Sequence, residues 1–236
     1  MGEDVDLVAA AGSIEDRDGA WDFIRCFVRG WRTPILPGDG CDESEITRAE
    51  ARLGLALPAA MREAYSLFGR RSDLTSRQDR LLSPDQLRLE DGALVYRVES
   101  QHVVEWAVPL SHADEDDPPV WFRDAGAVSE PWRNYLGRFS LASVEIILSE
   151  SVLCAEEGPL NHRALEPDGV TRLESLYPRL PLPDYPVWAL EGRVTRWFAG
   201  PGVLLREDAG EWLWVLGRSA AAVDGVRAAL PGDWEM

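Results

Sequence analysis

The chain has no lysine; all 24 basic residues are arginine, set against 41 acidic residues for a net charge of −17. A field of that sign opposes nucleic acid, whose binding depends on cations that neutralise phosphates. Cysteine is scarce: Cys26, Cys41 and Cys154 are an odd number with no repeated spacing. They argue against a disulfide framework and for a reducing compartment. His102, His112 and His162 have no ligand spacing with those cysteines, so no metal site is expected. Phosphate-cradling glycine loops and nucleophile elbows are missing too. No apolar run approaches the roughly 20 residues that span a bilayer. The opening MGEDVDLVAAAGSIED lacks the basic and apolar regions of a signal peptide. The expectation is a cytoplasmic protein without cofactor or metal and with no membrane contact.

What the chain has is ample core material. Its 236 residues are 45% hydrophobic and include ten tryptophans. A chain of this length buries roughly 70% of its unfolded surface and needs no disulfide or metal to fold. The acidic excess keeps it soluble and steers basic partners toward it without specifying one.

Along the chain, residues 1–17 read as an acidic flexible tail. A helix follows, with Trp21, Ile24, Val28 and Trp31 on one face. Residues 33–40 are a turn-rich connector. Asp42 and Glu45 then form a capping box. Ile46, Ala49 and Leu53 make one apolar stripe. Gly54 suits the left-handed position past a helix end. Pro58 opens a second helix, whose stripe is Met61, Tyr65 and Phe68, and Gly69 ends it. Two helices and a bend also describe a DNA-reading helix-turn-helix. Only Arg62, Arg70 and Arg71 are at hand for phosphates, so two packed core helices are the better reading.

Beyond Leu81 the period becomes alternating. Runs at 94–98, 103–108 and 120–123 predict antiparallel strands, covered by a helix from 140 to about 153. Residues 161–184 read as a linker or covering segment. A meander follows, with strands at 187–190, 194–199, 203–206 and 212–216. The last is apolar on both faces, hence central. Ser219 caps a final helix with Val223, Val226 and Leu230 inward.

Two blocks carry a family resemblance. The first is Ile46-x-x-Ala49-Glu50-x-x-Leu53-Gly54-x-x-Leu57-Pro58 with Arg62, Tyr65 and Gly69. The second is Leu82 to Leu87, then Glu99-x-Gln101-x-x-Val104-x-Trp106, then Asp117-Pro118-Pro119-Val120. In that order they resemble the SUKH superfamily, which includes the fungal Smi/Knr-type cell-wall assembly regulators and many bacterial immunity proteins. The likeness covers about Gly40 to Leu153. Arg70-Arg71 departs from the glycine-bearing turn common at that point, and the meander extends past the matched core.

The resemblance implies an α+β fold, with N-terminal helices on a mostly antiparallel sheet. The C-terminal β-meander and terminal helix complete the expected architecture. The organisation that follows is a core domain at 18–155 and a β-rich extension at 156–236 packed on it. The resemblance implies no enzymatic activity. It points to an immunity protein that binds and blocks a basic toxin domain of nuclease or deaminase type. A regulatory scaffold without a toxin is the alternative. Motif residues such as Gln101, Trp106, Pro119 and Val120 are then structural, and the chain a monomer or weak oligomer. The candidate partner-binding patch is Asp114, Glu115, Asp116 and Asp117, which also serves as an ordinary solvated turn. Trp106 and Trp121 are candidate anchors, better read as core.

Overall fold

The computed structural model describes residues 5–125, 130–153 and 159–235. The fold is α+β, with two antiparallel sheets and eight α-helices among the described residues. In chain order, α1 (Leu7–Gly12), α2 (Arg17–Trp31), α3 (Glu43–Leu53), α4 (Ala59–Phe68) and the short α5 (Ser72–Thr75) come first. The first sheet comprises β1 (Asp79–Leu81), β2 (Arg88–Glu90), β3 (Ala93–Glu99), β4 (Val104–Pro109), β5 (Val120–Asp124) and β6 (Arg133–Leu136). Its order is β1-β3-β4-β5-β6, with β2 pairing the other end of β3. After α6 (Phe139–Val152) come β7 (Leu160–Ala164), α7 (Gly169–Leu176) and β8 (Tyr185–Pro186). The chain then forms β9 (Val194–Gly200), β10 (Val203–Asp208), β11 (Trp212–Gly217) and α8 (Ala220–Ala229). The second sheet runs β7-β11-β10-β9-β8.

Within the stretch expected as a flexible tail, residues 7–12 form a helix. Asp6 caps α1 by accepting from Val8 and Ala9 N–H at 3.0 Å each. Leu7 and Ala11 are buried, and the helix packs on α2. Six residues do not hold a helix alone. Burying one leucine contributes about 1.5–3 kcal/mol, which tertiary contact supplies here.

The bend between α3 and α4 follows its expected chemistry. Glu45 accepts from Asp42 N–H at 2.7 Å, and Gly54 sits at φ 72°. Glu50 reaches across to accept from Leu57 N–H at 2.8 Å, bridging the bend. Gly69 is required for space rather than for an unusual backbone angle. A Cβ there would lie 2.7 Å from Cys41 Sγ and 2.6 Å from the Tyr65 carbonyl.

Helix α6 does more than cover a sheet. Every residue in it except Leu141 is buried. It packs on α2, α4 and α5 and also on β6, β10 and β11. The second sheet is therefore pressed between α6 and its own C-terminal helices. Trp197, Leu204 and Leu216 join the main core, which runs from Leu7 to Leu216. Their neighbours Phe198, Leu205 and Val215 pack with Leu173, Val223, Val226 and Leu230 in a second core. β11 is thus apolar on both faces, as its sequence indicates. The 161–184 segment is more ordered than a linker, since β7 pairs β11 and α7 buries Leu173. The strand expected at 187–190 is instead a turn after β8.

Candidate functional site

The polar residues of α6 converge between the two sheets. Glu150 is wholly buried and accepts from the N–H groups of Arg77, Gln78 and Asp79 at 2.7, 2.6 and 3.0 Å. From the first sheet comes Arg97. Its guanidinium reaches Glu145 at 2.8 Å, Asp79 at 2.9 Å and Glu150 at 3.4 Å. A register shift between Val95 and Arg97 sets Arg97 opposite Trp106, and the guanidinium lies 4.6 Å from that ring's centre. Bulges of this kind re-aim side chains. From the second sheet Arg206 donates to Ser149 Oγ at 2.8 Å and to Asp208 at 2.8 Å. Ser149 in turn donates to Glu145. A chain of contacts from Arg97 through Glu145 and Ser149 to Arg206 thus joins the sheets through α6.

The electrostatics here are not balanced. Burial pushes the Asp79 carboxyl up to about 6, and the neighbouring Glu150, Glu145 and Glu99 carboxylates add to that against the pull of Arg97. Burial works against the charge on Arg97. Glu145, Asp79 and Glu150 outweigh it and hold the guanidinium firmly protonated. Above this floor lies a cleft of about 320 Å³. Arg97 and Trp106 are among its lining residues, and Arg97 Nε and Trp106 Nε1 are buried with no hydrogen-bond partner among the described residues. Its mouth carries Trp188, Leu190 and Trp212, which are 37%, 40% and 40% exposed.

The acidic loop lies elsewhere, between the 3-10 turn Leu110–His112 and β5. Asp114, Glu115 and Asp116 are exposed; Asp117 is half-buried and committed. Asp117 accepts from Ser140 N–H at 2.8 Å and Ser140 Oγ at 2.6 Å, serving the free donors at the start of α6. The Asp116 carbonyl accepts from Ala60 N–H at 2.8 Å at the start of α4. The loop is therefore pinned to two helix N-termini while three carboxylates face solvent. Asp117 belongs to that scaffold. Arg17 connects the loop to Glu63, lying 2.7 Å from Glu63 and 3.8 Å from Asp116.

The remaining candidates separate into packing and surface. Ile46, Leu57, Tyr65, Trp106 and Val120 are buried, and Leu53 packs half-buried against them. Pro58 is the N-cap residue of α4, one position before the helix proper, and Pro119 leads half-buried into β5. Gln101 lies in the exposed hairpin between β3 and β4, where its N–H donates to Glu99 at 2.6 Å. Trp121 is half-buried beside His112. The arginines of the helix pair are engaged: Arg62 with Glu43 and Glu50, Arg70 with Asp42 and Glu45, Arg71 with Asp39 and Asp73. His112 pairs with Glu115 at 2.7 Å, and His162 stacks on Trp214 at 4.4 Å. Among the described residues no three His, Cys, Asp or Glu side chains group to hold a metal. No helix among them is long and apolar enough to cross a membrane. Cys154 lies outside the described residues.

Sequence reasoning passed over the cleft. Its signal was Glu145 and Glu150 inside a helix otherwise made of apolar residues and serines, a pattern that implies buried partners. Comparison of the chain with protein-family models, curated proteins and solved structures finds no match.

Proposed function

We propose that the chain is a non-catalytic protein-binding protein of the bacterial immunity type, acting in the cytoplasm on a basic toxin domain of nuclease or deaminase chemistry. The observation that carries this reading is the pinned loop. It presents Asp114, Glu115 and Asp116 to solvent on a chain of net charge −17. A basic catalytic cleft that attracts nucleic acid attracts such a surface equally, and fixed carboxylates compete for it. Anchoring at α4 and α6 supports the reading further, because a preordered loop loses little freedom on binding. The SUKH resemblance of the helix pair points the same way. The Ser149 hydroxyl, held between Glu145 and Arg206 and buried, is poorly placed as a nucleophile. That agrees with a binding role.

The test is co-purification of the tagged chain with the product of its neighbouring gene, at low and physiological salt. The expected result is a stoichiometric complex with a basic protein that is toxic alone. It should weaken as the screening length falls from about 30 Å to about 8 Å. No complex at either salt would defeat the immunity reading and leave a regulatory scaffold in its place.

A further inference from the structure

The outer face of α2 carries its charges in a symmetrical order. Asp18, Asp22, Arg25 and Arg29 are all exposed. They follow at i, i+4, i+7 and i+11, so they share one side of the helix over about 16 Å. Asp22 pairs with Arg25 at 3.1 Å, whereas Asp18 and Arg29 have no partner among the described residues. The helix dipole favours an acid in the first turn and a base in the last, but it leaves this face uncovered. Trp21 ties α2 to α4 by donating from Nε1 to Glu63 at 2.7 Å and meeting Phe68 edge-on. Two surface hollows of about 430 and 510 Å³ lie along these helices. They share Arg25, Ser66 and Leu67, and so form one groove, acidic at the Asp18 end and basic at the Arg29 end. Leu36 lines the basic end and is 59% exposed.

We propose that two copies of this chain pair reversibly through this groove, their α2 helices antiparallel. A twofold axis crossing α2 between Phe23 and Ile24 sets Asp18 of each copy opposite Arg29 of the other. The same axis sets Asp22 opposite Arg25, and each pair forms twice. An interface between identical copies must be self-complementary in this way. Spacings of four, three and four residues are also those with which one helix meets another along a seam. A partner of a single charge sign would satisfy only half of the face, whereas a second copy satisfies all of it. The net charge of −17 opposes self-association at long range. Physiological salt screens that repulsion beyond about 8 Å and spares pairs in contact. Exposed ion pairs are individually weak, so the dimer is a reversible one. This inference does not use the acidic loop and stands whether or not the chain binds a toxin.

The experiment is sedimentation velocity of the full-length chain at physiological salt, from about 10 μM to about 1 mM. The chain should pass from monomer to dimer over that range. One variant, Arg25→Glu with Arg29→Glu, makes the whole face acidic; another, Asp18→Arg with Asp22→Arg, makes it basic. Each alone should stay monomeric, because like charges then meet across the axis. An equimolar mixture carries the same total charge as the wild-type pair and should restore a dimer with one copy of each. That restoration reports the local pairing rather than the net charge. If a charge-reversed chain does not fold, Arg25→Gln with Arg29→Gln takes its place and should weaken the dimer about tenfold. A wild-type chain that stays monomeric throughout overturns the proposal. So does undiminished dimerisation of the folded variants, or a mixture of the two reversed chains that forms no dimer.

Discussion

Around the helix pair, Arg62, Arg70 and Arg71 each hold two carboxylates near the surface; between the sheets, Arg97 holds three in the interior. The same chemistry gives opposite results. The Leu36 N–H and Arg71 hold the Asp39 carboxyl below its usual range, and Arg70 and Arg71 do so for Asp42 and Asp73. Burial opposes ionisation of Glu50, but Arg62 and the Leu57 N–H outweigh it, so it too is lowered. Asp79 instead rises to about 6 because burial and like charges exceed what one guanidinium offsets. Pairs at the surface hold the helices in place. The buried charges instead join the two sheets through α6.

The largest effect should come from removing the shared cation. Arg97→Met removes the one guanidinium that Asp79, Glu145 and Glu150 share in the interior, and should lose about 3–5 kcal/mol in urea unfolding. Arg71→Met leaves Asp39 and Asp73, already partly exposed, to be solvated by water and should lose about 1–3 kcal/mol. Equal losses would erase the contrast.

Next in size is a pH effect of opposite sign in the two regions. Asp79 has a folded value of about 6 against an ordinary 3.8, so the folded chain holds its proton where the unfolded chain does not. Its contribution to stability is therefore full below about pH 4 and lost as pH rises to about 6, by up to about 3 kcal/mol. Asp79→Asn should raise stability at pH 7, the gap closing toward pH 4. For Asp73 the folded value is lowered. Its contribution is present above its unfolded value and lost as pH falls through the folded one, so Asp73→Asn should lower stability at pH 7. Unfolding curves of both variants across this range check the pair of signs.

A smaller change isolates the bend. Glu50→Ala removes the acceptor of Leu57 N–H and a partner of Arg62, and should cost about 1–3 kcal/mol by the same measurement. Smallest of all, Asp114→Asn with Glu115→Gln and Asp116→Asn should leave the unfolding midpoint unchanged while slowing association with a basic partner. A loss of stability there would make the loop structural throughout.

The helix pair was legible because local rules suffice for it. A capping box, a glycine at φ 72° and two apolar stripes need no knowledge of distant residues. Strands β3, β4, β5, β9, β10 and β11 were legible for the same reason. Helix α1 was missed because its stability comes from burying Leu7 and Ala11 rather than from its own length. The cleft was missed because Asp79, Arg97, Glu145 and Arg206 are scattered over more than half the chain. Only the register shift in β3 and the burial of α6 bring them together. In the acidic loop the sequence marked four equivalent carboxylates. The fold divides them, since only Asp117 lies within reach of Ser140.

The most direct test of this contrast is a carbon-detected NMR titration of the side-chain carboxyls in the folded chain. Asp79 should titrate near pH 6, while Asp39, Asp42, Glu50 and Asp73 titrate below their ordinary values. An Asp79 that titrates at or below about 4 would contradict the account, because burial and like charges would then not exceed what Arg97 offsets.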